Sequence, residues 1–185
     1  MGKITVTQTP IAGLVIVEPA VHEDDRGYFM ETYNRRDFED AGLAMAFVQD
    51  NQSQSRRGVL RGLHFQVRRP QGKLVRALRG EVFDVGVDLR PGSPTYGRWF
   101  GVALSGENKK QLYVPEGFAH GFVVLSETAE FAYKCTALYD PADEGGIRWD
   151  DPSIGIGWPI GREEILLSDK DRALPLLRQV NEGGR

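Results

Sequence analysis

The residues of this chain that could carry proton-transfer chemistry include a histidine close to fixed positive charges. His64 stands in the segment Gly58-Val-Leu-Arg-Gly-Leu-His-Phe-Gln66, which has the residue types of a β-strand, and Lys73 follows across the turn Pro70-Gln-Gly72. An imidazole near fixed cations tends to stay neutral, and the neutral ring is the form that a general base requires. A strand histidine is also commonly a hydrogen-bonded structural residue. The segment alone therefore leaves both roles open.

The alternation of side chains along a strand predicts which neighbours share a face with His64. It puts Arg61 and Leu63 on one face, and Gly62, His64 and Gln66 on the other. Glycine at position 62 leaves space beside the imidazole.

A tyrosine further along the chain is a candidate proton donor. In the strand-like segment from Glu130 to Tyr139, the odd positions Phe131, Tyr133, Cys135 and Ala137 share one face. If that face lines a barrel, Tyr133 presents its phenol to the interior, whereas an ordinary core tyrosine is the alternative. We interpret Cys135 as a small buried hydrophobic residue rather than as a nucleophile.

A cluster of polar residues near the C-terminus offers a carboxylate partner for the histidine. The run Ser168-Asp-Lys-Asp171 follows an apolar stretch. Such clusters are commonly solvated turns, but a carboxylate bonded to a histidine fixes its tautomer and stabilises the imidazolium. Asp171 is thus a candidate partner for His64.

A second histidine raises the question of a metal site. The segment Val114-Pro-Glu-Gly-Phe-Ala-His-Gly-Phe122 delivers His120 from a turn at the start of a strand, as a metal-binding β-barrel would. A metal site would need two histidines and a carboxylate where the first motif offers His-Phe-Gln. With three histidines and one cysteine, the chain has neither an internal disulfide nor a cysteine-rich zinc site. We expect no bound metal and no cofactor.

The charge of the chain is unevenly distributed. The formal net charge is −3, yet Asn51–Gly80 contains eight Lys or Arg residues and no Asp or Glu. The remaining 15 basic and 26 acidic residues leave the rest of the chain at −11. This basic segment is either a solvated strand face or an anion site. A nucleic-acid binder is disfavoured because the rest of the chain would repel a polyanion, whereas a local cluster suits one diphosphate.

The elements that must position these residues are mostly short strands in one domain. The 185 residues contain no repeat, low-complexity stretch or Gly/Ser-rich linker, so we expect one domain over residues 1–185. β-Branched and aromatic runs recur at a spacing of about 8 to 15 residues, separated by Gly, Pro, Asn and Asp, as in a sandwich or barrel. These predicted strands are Gly13–Glu18, Tyr28–Tyr33, Phe47–Asn51, Val59–Gln66, Lys73–Leu78, Val82–Asp88, Trp99–Leu104, Gln111–Val114, Gly121–Leu125 and Glu130–Thr136.

The pattern also predicts one hairpin and two short helices. Gly80-Glu81 separates two strand-like runs between Lys73 and Leu89, and the alternation after it predicts that Phe83, Val85 and Val87 face the core. Asn34 can cap a helix over Arg35–Ala41 that Gly42 ends, and a second helix is predicted around Glu163–Glu164.

The apolar segments are too short to cross a bilayer. No run approaches the roughly 20 residues that a spanning helix needs, and the first residues lack a basic-then-apolar signal segment. We therefore expect a soluble, cytoplasmic protein with no membrane partner.

Taken together, the motifs resemble the dTDP-4-dehydrorhamnose 3,5-epimerase family of cupin-fold sugar-nucleotide enzymes. The resemblance runs from about Gly13 to Asp171, and its specificity comes from the shared order and spacing of several blocks. The blocks are Asp25-Arg-Gly-Tyr-Phe29, Phe47-Val-Gln-Asp-Asn51, the His64 segment, Pro70-Gln-Gly-Lys-Leu-Val75, Pro115-Glu-Gly-Phe-Ala-His-Gly-Phe122, Tyr133-Lys-Cys135 and Ser168-Asp-Lys-Asp171. The resemblance implies an all-β double-stranded β-helix, or jelly roll, with short helices near both termini, forming a homodimer without metal.

The resemblance also implies roles for individual residues. The catalytic base falls on His64, its orienting carboxylate on Asp171, the proton donor on Tyr133, and the cation near the C4 oxygen of the sugar on Lys73. Tyr139 matches the aromatic position that stacks on thymine. The other implied substrate-binding positions are Arg26, Glu31, Gln49, Asp50, Asn51, Arg61, His120, Glu144 and Lys170. Of these, Glu31 and Asn51 are candidates to reach the substrate across the dimer interface.

The implied reaction inverts C3 and C5 of dTDP-4-keto-6-deoxyglucose, with this small-molecule nucleotide sugar as the partner. One alternative is a relative that inverts only one of the two centres with the same base. A keto-isomerase of related fold is a weaker alternative, because it would use a different pair of histidines. A non-catalytic carbohydrate-binding cupin is the alternative from another class of protein.

Overall fold

The computed structural model describes residues 3–182, which form an all-β sandwich with short helices at the edges. The helices are α1 (Arg35–Asp40), α2 (Asp169–Arg172) and α3 (Leu177–Glu182), with a 3₁₀ turn at Arg162–Glu164. The strands are β1 (Ile4–Gln8), β2 (Val15–Pro19), β3 (Val21–Asp24), β4 (Gly27–Met30), β5 (Gln49–Arg56), β6 (Leu60–Gln66), β7 (Lys73–Arg79), β8 (Glu81–Asp88), β9 (Trp99–Ser105), β10 (Gln111–Val114), β11 (Phe118–Val124), β12 (Thr128–Cys135) and β13 (Glu144–Gly146). No helix within residues 3–182 has the length and apolar character needed to cross a membrane.

Two antiparallel sheets form the layers of the sandwich. The larger has the strand order β1-β2-β10-β7-β12-β5, and the smaller has the order β13-β6-β11-β8-β9, while β3 and β4 form a separate hairpin. The predicted all-β cupin jelly roll is confirmed. The ten predicted strands are present, Gln111–Val114 with the predicted bounds and the others with shifted ends, whereas β1, β3 and β13 were not predicted.

The core between the sheets joins side chains from both of them. Val75 on β7, Leu112 on β10 and Phe131 on β12 pack against Val82 on β8 and Phe122 on β11. All five are nearly or fully buried, so this core holds the two layers at a fixed separation.

The predicted hairpin between β7 and β8 is wrong, because the two strands belong to different sheets. β7 pairs with β10 and β12, whereas β8 pairs with β9 and β11. Gly80 has φ +70, and a Cβ there would lie 2.1 Å from the carbonyl oxygen of Thr128. The tight turn at Gly80 therefore connects the larger sheet to the smaller one.

Both faces of β8 are buried, which the alternation argument did not anticipate. Val85 and Val87 are fully buried and Phe83 is half-buried, and all three pack in the outer cluster beneath the C-terminal segment that includes Ile147. The opposite parity, which includes Asp84, faces the interior of the sandwich. The three predicted core positions thus belong to a second core outside the smaller sheet.

The predicted helices are present, with differences near the C-terminus. Asn34 caps α1 by accepting a hydrogen bond from the Arg36 amide (3.1 Å), and the helix ends before Gly42, which has φ +81. The helix predicted around Glu163–Glu164 is the 3₁₀ turn. The helices α2 and α3 were not predicted because segments of four and six residues carry little periodic signal.

Candidate active site

A cavity of about 710 Å³ opens between the two sheets, and it collects most of the residues singled out from the sequence. Strands β5, β7 and β12 line it from the larger sheet, β6 and β11 from the smaller sheet, and α2 from the C-terminal segment. Eleven of the fourteen predicted site residues line this cavity: Gln49, Asn51, Arg61, His64, Lys73, His120, Tyr133, Tyr139, Glu144, Lys170 and Asp171.

His64 is bonded to the carboxylate that the sequence proposed as its partner. Nε2 of His64 lies 2.6 Å from Oδ1 of the buried Asp171, and the Ser168 hydroxyl donates to Oδ2 of Asp171 (2.8 Å). Burial alone would raise the pKa of Asp171, but the hydrogen bonds from His64, Ser168 and the Gly62 amide outweigh it and lower that pKa. The ionised carboxylate accepts the Nε2 hydrogen, so Nδ1 is the ring nitrogen left for chemistry.

Arg61 lies on the same side as His64, which contradicts the predicted alternation. In the pairing of β6 with β11, His64 is opposite His120, but Arg61 is opposite Phe122, so the strand has a bulge between these positions. The extra residue in β6 resets the alternation, and both side chains line the cavity. The Arg61 guanidinium bonds the Ser55 hydroxyl from Nε (3.2 Å) and Nη2 (3.1 Å).

Lys73 is a buried cation directly opposite Cys135 in the pairing of β7 with β12. No ion pair to its ammonium forms among residues 3–182. Burial lowers the pKa of Lys73, while electrostatic interactions with Cys135, Asp84 and Glu144 act against that shift. The ammonium is therefore available to a negative charge that develops in the cavity.

Tyr133 projects into the cavity from β12, two residues before Cys135. Phe131 packs in the core on the same face, as the odd-position pattern predicted. Burial raises the pKa of Tyr133, so its phenol keeps its proton at neutral pH and can donate it. Cys135 is buried, accepts a hydrogen bond from Asn51 Nδ2 (3.6 Å) and has a raised pKa, chiefly because of burial.

Polar side chains are linked at the more exposed end of the cavity. The Tyr139 hydroxyl donates to Oε2 of Glu144 (2.6 Å), and Lys170 Nζ donates to the same oxygen. Burial would raise the pKa of Glu144, but the hydrogen bonds from Lys170 and Tyr139 lower it. Gln49 accepts the Tyr139 amide hydrogen (2.8 Å) and donates to Asn51 Oδ1 (2.9 Å), so one network orders this end.

Three predicted binding residues lie outside this cavity. Arg26 is in the turn of the β3–β4 hairpin and pairs with Asp24 (2.5 Å). Asp50 points away from the cavity because it alternates with its neighbours on β5, and it pairs with Lys134 (2.9 Å). Glu31 follows the hairpin, where Asn34 Nδ2 donates to its Oε1 (3.5 Å). Their binding roles stay predictions.

One carboxylate of the cavity region was missed by the sequence argument. Asp84 on β8 is fully buried, and both of its oxygens lie 3.0 Å from Nε2 of His120. The sequence signal that could have identified Asp84 is the presence of a charged residue within the apolar run Val82–Asp88. The assumption that only the odd positions of this strand are buried concealed it.

The chain is similar to characterised proteins over nearly its full length. A profile of the family described as dTDP-4-dehydrorhamnose 3,5-epimerase matches residues 8–179. The dTDP-4-dehydrorhamnose 3,5-epimerase of Methanothermobacter thermautotrophicus is 54% identical over 180 residues (97% of each chain), and that of Pseudomonas aeruginosa is 59% identical over 167 residues (90% of this chain and 92% of the relative). The crystal structure of the dTDP-6-deoxy-D-glucose-3,5-epimerase of Legionella pneumophila with dTDP-4-keto-L-rhamnose superposes with a TM-score of 0.93 at 51% identity, covering 97% of this chain and 96% of the other.

Proposed function

The chain belongs to the dTDP-4-dehydrorhamnose 3,5-epimerase family, and from that premise we propose that its cavity inverts C3 and C5 of dTDP-4-dehydro-6-deoxy-D-glucose. The product is dTDP-4-dehydro-L-rhamnose, and the step belongs to dTDP-L-rhamnose biosynthesis. The observation that carries the assignment of roles is that one cavity holds the His64–Asp171 pair, Tyr133 and Lys73, which forms no ion pair with another described residue.

His64 is the base for both inversions. The protons at C3 and C5 of a 4-keto sugar are each adjacent to the carbonyl, so removal of either gives an enolate with its charge on the C4 oxygen. Nδ1 of His64 takes the proton, and Asp171 stabilises the imidazolium through the 2.6 Å bond to Nε2. One base suffices because the two carbons flank the same carbonyl.

Lys73 stabilises the enolate oxygen. Its ammonium has no competing ion pair within residues 3–182, and it lies in a buried part of the cavity where the interaction with a developing charge is strong. A preorganised donor of this kind is typically worth about 10²–10³ in rate. Proton abstraction therefore needs no group that the chain does not supply.

Tyr133 returns a proton on the face opposite to His64. The phenol comes from the larger sheet and the imidazole from the smaller one, so a sugar ring between them meets a base on one side and an acid on the other. The raised pKa of Tyr133, which burial causes, keeps it in the donor form. Inversion follows because the proton leaves from one face and arrives at the other.

The nucleotide part lies toward the more exposed end of the cavity. Arg61 is a bidentate donor for the diphosphate, and the half-exposed ring of Tyr139 stacks on the thymine. The remaining polar contacts to the nucleotide come from the lining residues Gln49, Asn51, Glu144 and Lys170, while the buried His120 contacts the sugar. Of the eight basic residues of Asn51–Gly80, Arg56, Arg61 and Lys73 line the cavity, and Arg61 is the one that serves the diphosphate.

The protein acts as a homodimer in which the β3–β4 hairpin completes the partner's site. Tyr28 and Phe29 of this hairpin are 53% and 62% exposed, and Arg26 at its turn faces solvent, although all three lie in the block that resembles the family's binding motif. Large apolar side chains exposed together suit an interface. Arg26 and Glu31 would reach substrate from the second copy, whereas Asn51 lines the cavity of its own chain. A cytoplasmic location stays a prediction.

Incubation with dTDP-4-dehydro-6-deoxy-D-glucose in deuterated water, followed by NMR at C3 and C5, tests the proposal. We expect deuterium at both carbons and the product inverted at both. Inversion at one carbon only would identify a single-centre epimerase. Binding of the sugar nucleotide without any deuterium incorporation would identify a non-catalytic carbohydrate-binding protein and contradict the proposal.

A further inference from the structure

A second histidine–aspartate pair borders the cavity, and the mechanism above gives its aspartate no contact with the substrate. Asp84 lies on β8 with its side chain fully buried (0% exposed), and both carboxylate oxygens are 3.0 Å from Nε2 of His120. His120 is nearly buried and lines the cavity. The pair therefore connects the interior of the smaller sheet to the substrate side of the cavity.

The fold itself does not require a carboxylate at this position. The neighbours of Asp84 include Val82 on the same face and Phe122 opposite it on β11, both of which belong to the core between the sheets. An apolar residue would extend that core, whereas a buried carboxylate costs several kcal/mol unless it is paired. Within residues 3–182, the hydrogen bonds to its side chain come from His120. The carboxylate thus contributes the contact with His120, and its charge also favours the protonated form of Lys73.

The contact fixes both the tautomer and the orientation of the His120 ring. A carboxylate only accepts hydrogen bonds, so Nε2 of His120 carries a hydrogen and Nδ1 is the nitrogen left for another partner. Phe131, from the larger sheet, lies against the ring at an interplanar angle of 15° and a centroid distance of 6.3 Å. The ring is therefore held on two sides.

His120 is also the direct partner of His64 in the pairing of β6 with β11. Directly opposed residues on antiparallel strands have Cβ atoms about 4.5–5.5 Å apart, so the two side chains enter the cavity next to each other. A group on the sugar that bonds His120 is therefore held at a set distance from the base.

We propose that Asp84 is a positioning residue, which holds His120 so that Nδ1 bonds a polar group of the hexose and fixes the sugar ring between His64 and Tyr133. The inference rests on the proposed function. It adds to that function a residue that never touches the substrate and acts through His120.

The first test determines directly, without substrate, which nitrogen of the His120 ring carries the hydrogen. The chain has three histidines, so ¹⁵N-labelled imidazoles give a simple NMR spectrum. We expect His120 to carry its hydrogen on Nε2 in the wild-type protein, and to lose this fixed signal in Asp84→Asn, with the His64 signals unchanged because Asp171 remains. A hydrogen on Nδ1 of wild-type His120 would overturn the proposal, even if the variant failed to fold.

The second test separates positioning from structural damage. Because Asp84 also raises the pKa of Lys73, kcat is taken from the plateau of the pH profile, where Lys73 is protonated. On that plateau we expect kcat of Asp84→Asn to fall about 10–100-fold, because small displacements of a reacting group have effects of this size. Binding of dTDP, measured by calorimetry, should be unchanged because the thymine and the rest of the nucleotide lie toward Tyr139. Unchanged kcat in a folded variant would contradict the proposal.

Asp88→Asn is the matched control. Asp88 is on the same strand and equally buried, but its partners are Arg90, Ser93 and Thr95, and it does not line the cavity. This variant should lose stability while keeping kcat and all histidine signals. Equal losses of kcat in the two variants would reduce Asp84 to a structural role. Failure of the proposed function would show separately, as wild-type protein that incorporates no deuterium.

Discussion

His64 and His120 are directly opposed on β6 and β11, and each ring is bonded through Nε2 to a different aspartate. Asp171 reaches His64 from α2, near the C-terminus, while Asp84 reaches His120 from the neighbouring strand β8. Two imidazoles thus share one cavity, but the carboxylates that hold them are on separate elements. The roles of the two rings can therefore be tested independently.

Replacing His64 by alanine should abolish exchange of solvent deuterium into C3 and C5. No other lining residue has a nitrogen held in the same way by Asp171, so we expect a loss of at least about 10³-fold in rate, within the usual range for removal of a general base. NMR of the recovered sugar nucleotide measures this exchange, and dTDP binding by calorimetry checks that the cavity is intact. Substantial residual exchange would remove His64 from the role of base.

Tyr133→Phe should separate proton abstraction from inversion. The ring still fills its place beside Phe131, but the cavity loses the phenol hydrogen. We expect deuterium exchange from the His64 face to continue, while inversion, especially at C5, becomes slow or incomplete. Time-resolved NMR of the products measures both. Formation of the doubly inverted product at the wild-type rate would exclude Tyr133 as the acid.

The activity should fall at high pH because Lys73 loses its proton. Burial lowers the pKa of Lys73 below its ordinary 10.5, against the effects of Cys135, Asp84 and Glu144, so the ammonium is lost at a lower pH than for a free lysine. Burial raises the pKa values of Tyr133 and Cys135, so it moves their ionisation toward higher pH, opposite to the shift of Lys73. We expect kcat to be retained below the Lys73 pKa and to decline above it.

Lys73→Arg tests the origin of that decline. A guanidinium stays protonated throughout the accessible range, so the alkaline decline of kcat should disappear even if the rate at neutral pH drops. The measurement is the initial rate at pH values from about 6 to about 10.5, a range that ends near the ordinary pKa of a lysine side chain. An unchanged alkaline decline in the variant would assign it to another group.

Most of the strands and the helix α1 were predictable because their signals are local. The Asn34 cap and the run Gln111–Val114 need only a few adjacent residues to be recognised. The errors concern which layer a strand joins and which face a residue occupies. A glycine such as Gly80 allows a tight turn between two sheets as readily as a turn within a hairpin. The bulge that brings Arg61 beside His64 depends on pairing with β11, a strand distant in sequence. The partnership of Asp84 with His120 depends on strand order, which local patterns do not encode.

Asp88→Asn should lower the free energy of unfolding and make it depend less on pH in the acid range. Although burial alone would raise the pKa of Asp88, hydrogen bonds from Arg90, Ser93 and Thr95 outweigh it and hold the pKa far below its ordinary value. Its contribution is therefore present above the unfolded value of about 4 and is lost as the pH falls through the lower folded value. Urea unfolding should show a loss of about 2–4 kcal/mol at pH 7. A loss that does not shrink as the pH is lowered from 4 would contradict this account.

Gly62→Ala should destabilise the protein and disturb the joint placement of Arg61 and His64 on β6. Gly62 has φ +118, and an added Cβ would lie 2.7 Å from both the Cα of Gly121 and the carbonyl oxygen of His120. The alanine therefore meets strain and a backbone clash together, for a loss of about 2–5 kcal/mol. Because the bulge places Arg61 and His64 on one side, its disruption should also reduce kcat/KM.

Gly27→Ala is the control that isolates the clash. Gly27 has a similar φ of +124, but no atom of the described part of the chain lies within 4 Å of an added Cβ. This variant carries backbone strain alone, so we expect a loss of only about 1 kcal/mol by urea unfolding. If the two variants lost equal stability, the close approach of β6 to β11 would not be what requires glycine at position 62. A larger loss in Gly62→Ala, together with reduced kcat/KM, would instead tie the bulge to the joint placement of Arg61 and His64.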